Sequence, residues 1–191
     1  MYIKRVFKKG IDYKLNNILI LCDTRQQKDE HITKYFNEHN ILWQRATLTT
    51  GDYMAIKIIN KPDDEQLFEY PTLIKDFSTI IDTKKDIVEI CGNLCRSVEH
   101  ERIKREIAKA HDLGCERFIF LIADTKVSCI DDLVNWASKR TNVKGVTLAK
   151  IMKTMSERYG CEFIFTKKSE MGAKIIELLR SWQHLIFVIY L

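Results

Sequence analysis

Two uninterrupted apolar runs, Ile18-Leu19-Ile20-Leu21-Cys22 and Phe118-Ile119-Phe120-Leu121-Ile122, constrain this chain more than any other feature. Successive side chains of a β-strand point to opposite faces, so a strand without polar positions has no face to offer water. Both runs must therefore lie buried within a sheet. Between and after them, apolar residues recur at helical spacing. Ile32, Tyr35 and Phe36 mark a helix over 28–39 that Asn40 ends, and strand 41–47 follows. Ile87, Val88, Ile90, Cys91, Leu94, Cys95 and Val98 give a second helix with a wide apolar face. Its period slips near 97–100, which predicts a bend or restart there. Helices are expected over 131–139 with Trp136, over 145–160 with Gly160 as stop, and over 170–182, with a short strand at 162–165.

Alternating strands and helices define an α/β protein with a mixed central sheet flanked by helices. Thr49-Thr50-Gly51 supplies a turn, after which 52–59 reads as the second strand of a hairpin. Both prolines and the acids Asp63, Asp64 and Glu65 fall in the long interval before Thr79, which reads as an inserted loop with a solvated acidic turn. At 191 residues the chain has room for one domain, placed at 17–182. Residues 1–16 read as a surface arm. Residues 183–191 form a charge-free apolar segment that fills a sheet edge or pairs with a second copy, and a homodimer is the expectation.

Three acids lie at the ends of strand-like runs: Asp23 closes the run before it, Asp52 opens the strand behind Gly51, and Asp82 follows Ile80-Ile81 and precedes Thr83-Lys84. Asp82 and Lys84, two residues apart on a strand, share one face. Three acids at strand ends converging on one cation, with a lysine beside it, form a site for a hard divalent ion and its water. A net charge of +5 with pI near 8.8 leans toward a polyanionic partner. No phosphate-cradling glycine loop occurs, so a nucleotide cofactor has no support. Cys91 and Cys95, with His100 nearby, read as core residues of a helix and not as zinc ligands, and the six cysteines show no secreted-domain framework. No run reaches the roughly 18 apolar residues of a membrane span, and no signal-peptide core is present, so the expectation is cytoplasmic.

Asp23-Thr24-Arg25-Gln26, Gly51-Asp52-Tyr53 and Asp82-Thr83-Lys84, in this order, resemble the three motifs of XPF-type structure-selective endonucleases, the ERCC4-domain branch of the PD-(D/E)xK nucleases, in the short form found in phages and bacteria. The resemblance runs from about residue 17 to 179. It implies a restriction-endonuclease-like fold and an Mg²⁺-dependent endonuclease, with Mn²⁺ as a substitute, acting on branched or flapped DNA in recombination or repair. The family usually carries Glu where this chain has Gln26 and where it has Asp82. Asp52 and Asp82 would be direct ligands, with the Thr83 carbonyl as a third, and Asp23 would bind the ion or orient its waters. Lys84 would position the attacking water or help deprotonate it, its pKa lowered beside a metal. Arg25 is a candidate phosphate contact. In the resemblance an Arg with an acid four residues on recurs at Arg102 and Glu106; Arg105, Lys150 and Lys153 complete the DNA-binding candidates. The alternative from another class is a silent scaffold of the same fold, or a DNA-binding partner subunit.

Overall fold

The computed structural model describes residues 18–58 and 73–180, without the side chains of 57–58 and 73–77. Its centre is a six-stranded mixed sheet in the order β2-β1-β3-β4-β5-β6. The strands are β1 (Ile18–Asp23), β2 (Trp43–Ala46), β3 (Tyr53–Ile58), β4 (Leu73–Lys84), β5 (Arg117–Ala123) and β6 (Cys161–Thr166). Helices α1 (Glu30–Glu38), α2 (Ile87–Cys95), α3 (Ser97–Asp112), α4 (Gly145–Tyr159) and α5 (Met171–Arg180) connect or follow them. The two charge-free runs take interior positions: every residue of β1 is buried, and Phe118 to Ile122 are fully enclosed.

Period-two alternation divides β5 between two cores. Phe118, Phe120 and Ile122 join α2, α3 and α4 on one side of the sheet, together with Ile80. Ile119 and Leu121 join Ile18, Ile20, Cys22, Phe36 and α5 on the other, together with Ile81. The break foreseen near 97–100 falls at Arg96, whose ψ of 126° ends α2 and lets α3 start at Ser97.

Two expectations are corrected. β3 does not pair with β2 in a hairpin. It lies antiparallel to β1 on one side and to β4 on the other, while β2 runs parallel to β1 at the edge. A buried apolar strand such as β1 needs partners on both sides, and the turn at Gly51 carries the chain past β1 to supply the second. Residues 131–139 do not form an α-helix: a 3-10 turn spans Ile130–Asn135, and Trp136 is extended. That turn ends against the backbone of Gly145, where an added Cβ would lie 1.8 Å from the Leu133 carbonyl oxygen, so α4 occupies the space a longer helix would need. The arm at 1–16, the acidic loop with Asp63, Asp64 and Glu65, Trp182, and the segment 183–191 that motivates a homodimer lie outside the described residues. Among the described residues no helix is long and apolar enough to cross a membrane.

Candidate active site

The backbone of Asp52 joins the three motifs. Its N–H donates to the Ile81 carbonyl on β4 at 2.8 Å, and its carbonyl accepts from the Asp23 N–H on β1 at 2.8 Å. Gly51 makes that approach feasible. Its φ of +70° belongs to the left-handed region, and a Cβ there would meet Ile80 Cγ2 at 2.3 Å.

The Asp52 side chain is held from one side only. Its Oδ2 accepts from Thr83 N at 2.8 Å, Thr83 Oγ1 at 2.6 Å and Gln26 Nε2 at 2.9 Å, while Oδ1 makes no hydrogen bond to the described residues. Burial and the charge of Asp82 push the Asp52 carboxyl up to about 6, against the lowering by Thr83 and Lys84. Asp82 and Lys84, both 6 % exposed, form a buried ion pair through Asp82 Oδ1 and Lys84 Nζ. Asp82 Oδ2 has no partner among the described residues. Two carboxylates that repel each other, each with one uncommitted oxygen, suit a hard divalent cation between them. Asp52 and Asp82 are the residues that would hold it.

Asp23 is held by partners of its own. Its carboxylate is occupied by Arg25, through Nε at 2.9 Å, Nη2 at 2.7 Å and the backbone N–H at 2.7 Å, and by the Leu48 N–H at 3.0 Å. Burial would raise its pKa, but these bonds and the guanidinium charge hold it below the ordinary carboxylate range. Among the described residues no group of three or more His, Cys, Asp or Glu side chains is arranged to hold a metal ion. The acid-x-Arg spacing lets Arg25 fold back onto Asp23 after the strand ends. The chain thus uses Asp23 to fix the loop carrying Arg25 and Gln26.

Lys84 is buried beside Asp82. Burial works against its charge, yet the charge of Asp82 and its hydrogen bond, with Asp52 behind them, keep its pKa above the usual lysine value. Its ammonium lies 5.7 Å from the centre of the Phe120 ring.

Among the DNA-contact candidates, Arg25 stays two-thirds exposed while gripping Asp23. Arg102 is bound to Glu99 at 2.9 Å and Glu106 at 2.6 Å. Thr50 Oγ1 donates to the Glu106 carbonyl, which sets this pair beside the Gly51 turn. Arg105 is exposed on the same helix. Lys150 and Lys153 lie on α4, which packs against β6 at the far edge of the sheet, and Lys153 is paired with Asp131 at 2.6 Å, so the structure does not bring them to the acid pair. Cys91 is buried, as expected, but Cys95 is exposed, its Sγ 3.9 Å from that of Cys91.

Sequence reasoning missed the part of Gln26, noted there only as a departure. Its Nε2 bridges Asp52 Oδ2 and Thr83 Oγ1, both at 2.9 Å, which joins the first motif to the other two. It also missed a cleft of about 490 Å³ at the ends of β1, β4 and β5, lined by Arg25, Gln26, Thr83 and Lys84 together with Lys28, His31 and Lys168. No local pattern marks Lys168, which comes from the far end of the sequence.

A mixed sheet with a carboxylate pair and a buried lysine at its strand ends defines a nuclease of the restriction-endonuclease-like class. The ERCC4 domain family matches residues 22–179, and the chain belongs to it. The fold is similar to XPF from Aeropyrum pernix, with a TM-score of 0.57 at 13 % identity over 89 % of this chain and 67 % of that one. It is also similar to XPF from Aeropyrum pernix in complex with DNA, with a TM-score of 0.57 at 14 % identity over 86 % of this chain and 64 % of that one. The chain thus spans about two thirds of those archaeal proteins. No curated protein matches the sequence significantly.

Proposed function

We propose that this nuclease is an Mg²⁺-dependent endodeoxyribonuclease, able to use Mn²⁺, that hydrolyses phosphodiester bonds in branched or flapped DNA. The observation that carries the reading is the pairing of half-buried Asp52 with buried Asp82, and Lys84 bound to the latter. A divalent ion on that pair supplies charge neutralisation at the phosphoryl oxygens and a water of lowered pKa. The Thr83 carbonyl is a candidate third ligand. The chain's own groups do the rest. Gln26 and Thr83 hold Asp52 in one orientation, and Lys84 donates a charged hydrogen bond toward an attacking water or a phosphate oxygen. Arg25, free on its outer side, binds the phosphate of a neighbouring nucleotide. The archaeal match in complex with DNA supports a nucleic-acid substrate, and the free cysteines suit the reducing cytoplasm of a bacterium or a phage-infected cell.

The test is cleavage of labelled flaps, junctions and duplex in Mg²⁺ by the parent and by Asp82→Ala and Asp52→Asn, beside thermal melting. Each variant is expected to lose activity by more than about 100-fold, the upper end of what removing a group behind a metal ligand costs. Retained cleavage in a folded Asp82→Ala protein would move the chemistry elsewhere. DNA binding without cleavage by the parent would favour the silent-scaffold reading.

A further inference from the structure

The cleft beside the acid pair has an unusual charge balance. Lys28, Lys85 and Lys168 are exposed, line it, and form no ion pair among the described residues. Of its two acids, Asp29 is matched by a cation and Glu89 is not, among the described residues. Asp29 Oδ1 and Oδ2 accept from the Arg45 guanidinium at 2.6 and 2.9 Å, and Oδ2 also accepts from Tyr53 Oη at 2.8 Å, while Glu89 accepts from the Lys85 N–H at 3.1 Å. Three lysines against the single unpaired carboxylate of Glu89 leave the concavity with an excess of positive charge, which suits an anion.

His31 lines the same cleft, and its Nε2 makes no hydrogen bond to the described residues. A polar nitrogen without a protein partner is a position that a water or a ligand oxygen can complete once the ring turns toward the cleft. Burial, with the charge of Lys168, holds the His31 pKa below its ordinary value, which keeps the ring neutral near pH 7 and able to donate one N–H. The arrangement comprises two lysines from separate segments that line one cleft together with an imidazole. Lys28 precedes α1, and Lys168 lies in the 3-10 turn before α5.

We propose that Lys28, His31 and Lys168 form a phosphate subsite, distinct from the acid pair, that holds a DNA phosphate flanking the one to be cut. The inference rests on the endonuclease reading. Phosphate contacts of this kind position a strand without reading its sequence. With Arg25 and Lys84 lining the same cleft as this trio, the cleft holds a strand at two points, and so fixes which phosphodiester meets Asp52 and Asp82. The phosphate is either internal to the strand or terminal at a nick or flap, and the chemistry is the same.

The test measures DNA affinity in EDTA, where no cleavage occurs, as a function of salt. It compares the parent, Lys28→Ala/Lys168→Ala, His31→Gln, and the charge control Lys34→Ala/Lys174→Ala. One probe is a dumbbell duplex closed at both ends, the other the same duplex with a 5′-phosphorylated nick. The expected result is a salt slope reduced by about 1.8 in the Lys28/Lys168 variant, about 0.9 per lost contact on duplex, with the control unchanged. His31→Gln is expected to weaken binding with little change of slope. An effect on both probes identifies an internal phosphate, and an effect confined to the nicked probe a terminal one. In Mg²⁺ the variants should raise KM and leave kcat at saturating DNA unchanged. If the parent binds and cuts DNA while the Lys28/Lys168 variant keeps the parent's slope and affinity on both probes, the subsite is overturned and the endonuclease reading stands. If the parent binds DNA and the subsite variants behave as expected, but nothing is cut, the subsite stands and the endonuclease reading fails.

Discussion

Asp52 works with its main chain and its side chain in different directions. The main chain joins β1 to β4, and the carboxylate is then oriented by Thr83 and Gln26. Replacing Gly51 by alanine tests the first. The left-handed backbone alone costs an L-residue roughly 1–2 kcal/mol, and the clash with Ile80 at 2.3 Å adds to it. Gly51→Ala should therefore lower Tm and, because Asp52 shifts with the turn, reduce cleavage in protein that is still folded. Parent-like activity with parent-like melting would show that the turn tolerates a Cβ. The Asp82–Lys84 pair gives a sharper expectation. Lys84→Met leaves a buried carboxylate uncompensated, a loss of about 3–5 kcal/mol when a buried pair is broken from one side. A divalent ion on the acid pair would restore the missing charge. The variant should thus melt well below the parent in EDTA, regain more stability than the parent does on adding Mg²⁺, and remain inactive. An equal Mg²⁺ response in both proteins would separate Asp82 from the ion.

At the scale of elements, the link from β4 into α2 deserves a test because it follows the Asp82-Thr83-Lys84 motif directly. Asp86 caps α2, its Oδ1 accepting from the Glu89 N–H at 2.8 Å, while Oδ2 is bound by Arg140 at 2.9 Å. Burial alone would raise its pKa. The Glu89 N–H and the Arg140 guanidinium outweigh that and hold it below the usual carboxylate range. A carboxyl depressed by folding stabilises the native state above its unfolded pKa, near 3.9, and that contribution disappears as pH falls through the folded value. Asp86→Ala is expected to cost about 0.5–2 kcal/mol at neutral pH, as lost N-caps do, with the gap to the parent narrowing as pH falls below the unfolded carboxylate value near 3.9. Denaturant titrations above and below that value check this, and a gap that stays constant with pH would mean the cap acts without its charge. On the other side of the site, the pairing of β3 with β4 slips between Met54 and Ala55, from Ile80 to Asp76. An irregularity there strengthens local twist and re-aims the strand just before Asp82.

For the whole molecule, the sheet serves two cores, and the site depends on one of them directly. Phe120 is fully buried, packs at 5.2 Å on both Phe118 and Phe163, and presents its ring to Lys84. Phe120→Ala removes aromatic bulk from the centre of the sheet and the support of the ammonium together. Such truncations cost about 3–5 kcal/mol. In a chain of this length that corresponds to roughly 6–20 °C in Tm. Leu148→Ala, in the same core but on α4, is the comparison: both should lower Tm, and only Phe120→Ala should also depress cleavage at a temperature where both proteins are folded. Equal activities would show that the ring fills space and nothing more.

What the sequence determined by itself was whatever depends on periods and local stops. The charge-free runs placed β1 and β5 inside a sheet, since no face of them could meet water. The phase slip after Val98 foretold the break at Arg96, and Gly160 ended α4 with φ of +64° because a left-handed residue closes a helix most readily as glycine. Acids at strand ends located the Asp52, Asp82 and Lys84 candidates by the same logic. Tertiary structure decided everything that rests on which segments meet. β3 crossed β1 instead of folding back on β2, and the backbone of Gly145 left room only for a 3-10 turn near Trp136. Asp23 turned to Arg25, Gln26 reached Thr83, and Lys28 and Lys168 came to one cleft from opposite ends of the chain. A carboxylate's partner is set by distance in space, and periodicity carries distance only along a single strand or helix.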